Sequence, residues 1–74
     1  MPKLPANLSG QELRKALQRA GFALVRQRGS HMVLRRESPK ARVIVPDHKE
    51  IRPGTLNQIL KAADLTVERL LELL

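Results

Sequence analysis

Seventy-four residues, no cysteine and one aromatic, Phe22, describe a single small domain with an aliphatic core, and they exclude disulfides and cysteine metal sites. The formal net charge is +7, and nine Lys or Arg face one acid, Glu37, between Arg14 and Arg42, while the remainder holds five bases and six acids. That clustering favours a binding surface for a nucleic acid, an anionic membrane surface or an acidic protein, and the scarcity of aromatics weighs against reading single strands by base stacking.

The opening Met1-Pro2-Lys3-Leu4-Pro5 has no apolar run of signal-peptide length, and no segment could span a bilayer, so a cytoplasmic protein is expected. Ser9-Gly10-Gln11-Glu12 has the form of a capping box, with Leu8 and Leu13 at the positions of a hydrophobic staple. Leu13, Ala16, Leu17 and Ala20 follow as one apolar stripe, and Arg14, Lys15 and Arg19 lie off it. Gly21 is a natural stop, so the first helix is expected over Gly10 to Ala20.

Phe22 to Arg28 reads as a strand, Gly29-Ser30 as a two-residue turn, and His31 to Arg36 as the returning strand. A polar turn, Glu37-Ser38-Pro39-Lys40, leads to a third strand over Ala41 to Val45. Pro46 to Arg52 is a charged loop, and Pro53 suits the first turn of a second helix striped by Leu56, Ile59, Leu60 and Ala63. Thr66 caps a last short helix, Val67 to Leu73, with Leu70, Leu71 and Leu74 expected on its apolar side. The order predicts an α+β domain: α-β-β-β-α plus an extra short C-terminal helix, with a three-stranded antiparallel sheet packed on helices. Double-stranded RNA-binding domains share that order.

A turn at Gly29-Ser30 sets Arg28 opposite His31, Arg26 opposite Val33 and Leu24 opposite Arg35. His31 then shares a face with Arg26, Arg28 and Arg35, and also with Phe22, Leu24 and Val33, while Ala23, Val25, Met32 and Leu34 face the core; a one-residue slip would invert this. An unperturbed imidazole titrates near pH 6.5, so its basic form is available at neutral pH. RNA brings its own nucleophile, the 2′-hydroxyl, and an imidazole among guanidiniums could take that proton. The plainer reading of His31 is a polar residue after a turn, and that of His48 a solvated loop residue. Two histidines seventeen positions apart, without cysteine, make no metal-site pattern, and Ser30 beside His31 makes no nucleophile–base pair.

Several segments together resemble the HicA family, small toxins of bacterial toxin–antitoxin pairs that act as mRNA interferases. They are Ala20-Gly21-Phe22, Arg26-Gln27-Arg28-Gly29-Ser30-His31, Val45-Pro46-Asp47-His48 and Pro53-Gly54-Thr55-Leu56-Asn57-Gln58-Ile59-Leu60-Lys61. The resemblance runs from about Ser9 to Leu74 and implies a fold like that of double-stranded RNA-binding domains. It also implies metal-independent endoribonuclease cleavage of mRNA, with no cofactor, and a HicB-type antitoxin as partner in a hetero-oligomer. The family's catalytic histidine falls on His31, and a further family histidine falls on His48, read as a helper. Arg26, Arg28, Ser30, Arg35, Lys15 and Arg19 form the expected RNA-binding set. The competing readings are a non-catalytic RNA-binding module and a protein-interaction domain whose basic face docks an acidic partner.

Overall fold

The structure, a computed structural model, describes residues 3–74; the first two residues of the Met1–Pro5 lead-in lie outside the described residues. Six elements follow in order: α1 (Gly10–Arg19), β1 (Ala23–Arg28), β2 (His31–Glu37), β3 (Lys40–Pro46), α2 (Pro53–Ala63) and α3 (Val67–Leu73). The strands form one antiparallel sheet in the order β1-β2-β3. This is the expected α+β architecture, with the element order of double-stranded RNA-binding domains and the extra C-terminal helix.

Helix α1 starts where its sequence directs. The Ser9 hydroxyl accepts from the Glu12 backbone N–H, and the Glu12 carboxylate accepts from the Ser9 backbone N–H. That backbone bond, aided by the Ser9 side chain and Lys15, holds the Glu12 carboxyl below the usual carboxylate range. The helix ends one residue earlier than expected, with Ala20 as its cap. Gly21 adopts φ +99°, and the N–H groups of Gly21 and Phe22 donate to the carbonyls of Gln18 and Leu17. Those bonds satisfy carbonyls that the last turn would otherwise leave free.

The inner face of the sheet and the helices share one core. Met32, Leu34, Val43 and Val45 pack against Leu13 and Leu17 of α1, Leu56 and Leu60 of α2, and Leu70 of α3 in a single buried cluster. The three helices therefore back one face, and the other face is open. At the edge of the core Arg36 lies 4.7 Å from the Phe22 ring centroid and donates to the carbonyls of Pro39 and Ala63. This arginine is a structural group rather than part of the open face.

Two further expectations need correction. The hairpin register holds near its turn, but a β-bulge between Leu24 and Arg26 leaves Val25 out of the ladder. The extra residue shifts the alternation by one. Leu24 therefore pairs with Leu34 and Ala23 with Arg35, so Ala23 turns outward, and Val25 is 53% exposed rather than in the core. In α3, Leu70 and Leu73 are the buried pair, whereas Leu71 and Leu74 are 43% and 45% exposed. The helix docks only along the stripe that meets α1. No helix among the described residues is long and apolar enough to cross a membrane.

Candidate functional site

The site begins at the β1–β2 turn. Gly29 takes φ +55°, which glycine adopts without steric cost, and the turn sets Arg28 directly opposite His31. His31 opens β2 on the open face and is exposed. Opposed residues share a face, so the rows across the sheet read Arg28–His31–Pro46, then Arg26–Val33–Ile44, then Ala23–Arg35–Arg42. Arg26, Arg28 and Arg35 thus share the His31 face, as the turn geometry implies.

The loop after β3 brings the second histidine to the same place. The Asp47 N–H donates to the Ser30 carbonyl, the Gly10 N–H to the His48 carbonyl, and the Ile51 N–H to the Leu8 carbonyl. The Asp47 carboxylate is shared by two glutamines: its Oδ1 accepts from Gln11 Nε2 at 3.0 Å, and its Oδ2 from Gln27 Nε2 at 3.2 Å. Gly10 completes the clamp, because a Cβ there would overlap the Pro46 carbonyl oxygen. Held this way, His31 and His48 line one cleft of about 410 Å³, together with Glu50, Arg52 and Thr55.

The remaining residues of the expected RNA-binding set lie elsewhere. Ser30 is exposed in the turn itself. Lys15 and Arg19 are carried by α1, in the helical layer behind the sheet, and Arg19 Nη1 donates to the Leu73 carbonyl at 2.6 Å. Sequence reasoning missed Arg42 and Lys40, which join the outer face. Inward Val43 and Val45 already imply outward Arg42 and Ile44, and a two-residue turn at Ser38-Pro39 sets Arg42 opposite Arg35. No group of three or more metal-ligating side chains comes together among the described residues.

Two imidazoles in one cleft, beside a row of guanidiniums, can move protons next to a bound anion. Fold and site together define a small helix-backed α+β domain with a cationic sheet face and a two-histidine cleft at its end. A family model described as HicA toxin of bacterial toxin-antitoxin matches residues 10–65, and the chain belongs to that family. It is therefore the toxin component of a toxin–antitoxin system, which implies an antitoxin partner. The match takes in α1, the sheet and α2 and stops before α3. No curated protein matches the chain.

Proposed function

We propose that the chain is a metal-independent endoribonuclease that cleaves mRNA in the cytoplasm and so inhibits translation and growth. The observation that carries this reading is the cleft shared by His31 and His48, at the head of a face bearing Arg26, Arg28 and Arg35. The RNA 2′-hydroxyl attacks the adjacent phosphorus as an imidazole takes its proton. The bond to the 5′-oxygen breaks, and that oxygen receives a proton. The products of this route are a 2′,3′-cyclic phosphate and a 5′-hydroxyl. His31 is the general acid/base, and His48 is the helper that shares the proton transfers. Arg26, Arg28, Arg35 and the Ser30 hydroxyl contact the RNA backbone, and Lys15 and Arg19 add to the field that draws RNA in. A HicB-type antitoxin neutralises the toxin by covering the open face.

Purified protein should cleave mixed-sequence RNA in EDTA, and His31→Ala should lose about 10²–10⁴-fold in rate while keeping its melting temperature. An undiminished His31→Ala rate would remove His31 from the mechanism. RNA bound but left intact by the folded parent would favour the alternative supported by the same cationic face, a non-catalytic RNA-binding module.

A further inference from the structure

The open face carries a second feature away from the cleft. Arg26, Arg35, Lys40 and Arg42 line a basin of about 710 Å³ together with Val25 and Val33. No carboxylate among the described residues lines it. Arg35 and Arg42 stand directly opposite each other on adjacent strands, an arrangement in which like charges repel. Among the described residues the one ion pair is Arg69–Glu72, on α3, so neither guanidinium has a carboxylate partner. A local conflict of this kind in an otherwise consistent domain marks a site kept for something other than stability.

The spacing suggests what the site holds. From His31 to Arg35 along β2 is four residues, about 13 Å at roughly 3.3 Å per residue. That is close to two phosphate-to-phosphate steps of an extended single strand. A backbone laid along β2 would put one phosphate at His31, the next over Arg26 and Val33, and a third between Arg35 and Arg42. The cations flank β2 on both sides, Arg26 and Arg28 on β1 and Arg42 on β3, with Arg35 on β2 itself, so a single backbone running along β2 meets them all. The bulge contributes by turning Val25 outward, so that the face widens into a basin at this point. Phe22, the chain's single aromatic, is buried, so recognition here is of the backbone, with arginine planes available to bases.

We propose that this basin is a phosphate subsite for single-stranded RNA, two phosphates along the strand from the scissile bond. The proposal rests on the ribonuclease reading for its register, but its test is independent of cleavage. The full chain carrying His31→Ala is titrated with 2′-O-methyl oligonucleotides of two to eight nucleotides, read by fluorescence anisotropy. Affinity should rise in a step once the oligonucleotide reaches the basin, then level off. R35Q/R42Q should abolish that step, weaken the longer oligonucleotides by about 10-fold, and lower the slope of log K against log salt by about 1.4, the value for two lost phosphates on a single strand. The shortest oligonucleotides should bind as before.

The same double variant should melt at an equal or higher temperature, since it removes an opposed like-charge pair; a purely structural role requires a lower one. Equal losses at every length, or no loss, would overturn the subsite. So would retained RNA affinity with lost affinity for poly-glutamate, which would assign the basin to an acidic protein. If the length step is present but the parent does not cut RNA, the subsite stands and the catalytic reading falls.

Discussion

The Asp47 backbone N–H donates to the Ser30 carbonyl at 2.6 Å, tying the loop that carries His48 to the turn that carries His31. The Asp47 carboxylate reinforces the tie by bridging Gln11 of α1 and Gln27 of β1. Asp47 thus ties its own loop to two other parts of the chain distant in sequence, α1 and the β1–β2 hairpin. Asp47→Ala keeps the backbone bond and removes both side-chain bonds. It should cost about 1 kcal/mol of stability and reduce RNA cleavage several-fold. In a His48→Ala background the stability cost should persist and the cleavage effect should disappear. A cleavage effect of undiminished size there would show that Asp47 acts other than by placing His48.

The two histidines should behave as one unit. His48→Ala is expected to lower kcat by about 10²-fold, less than His31→Ala, and the double variant should be no worse than His31→Ala alone. Losses that simply multiply would mean that the two imidazoles act independently. Single-turnover cleavage of one defined RNA by all four proteins decides the matter.

Gly10 offers a test in which two rules disagree. Helix propensity favours alanine over glycine by about 1 kcal/mol in a helix. The overlap of a Cβ with the Pro46 carbonyl opposes it, and forced repacking of this kind costs about 1–3 kcal/mol. The clash is with backbone and should win. Gly10→Ala is therefore expected to lower the melting temperature and weaken cleavage, because it pushes the loop bearing His48 off α1. A more stable variant would show that the approach of α1 to Pro46 is not tight in solution.

The N-cap of α1 sets an acid limb in stability. Glu12 has its carboxyl held low mainly by the Ser9 backbone N–H, so it binds a proton less readily folded than unfolded. Its contribution is present above the unfolded-state carboxylate range and is lost as pH falls through the lower folded value. Glu12→Gln should flatten that part of the stability–pH curve and leave the neutral-to-basic part parallel to the parent. Ser9→Ala should cost about 1 kcal/mol at neutral pH. Urea midpoints measured from pH 2.5 to about 9 would expose either discrepancy.

Helix α3 lies beyond the matched family region, yet it is part of the core. Leu70 is buried against α1, and Arg19 binds the Leu73 carbonyl. Leu70→Ala should cost about 2–5 kcal/mol, a large part of what a domain this small can have. Leu71→Ala, on the exposed side, should change little. Equal effects would place α3 off the core.

The elements could be read from residues close together in sequence, because their causes are local. The capping box at Ser9 and Glu12, Gly21 after α1, the Gly29-Ser30 turn and the stripe of α2 each act over a few residues. The same locality made the pairing of Arg28 with His31 and Arg26 with Val33 legible, since a two-residue turn dictates the register beside it. The register failed at the next residue, Val25, four positions from Gly29. A bulge is decided by which side chain the helices can cover, and no neighbour of Val25 in sequence carries that information. Tertiary packing likewise set Arg19 against Leu73 and turned Leu71 and Leu74 away from the core, whereas the opposition of Arg42 and Arg35 was already implied by the Ser38-Pro39 turn. His31 and His48 share a cleft only because Asp47 and Gly10 lock a loop of β3 onto the turn of β1 and β2. Such a meeting depends on closing long stretches of chain around a common core. Local pattern registers the pieces, and only their packing against one another decides which side chains meet.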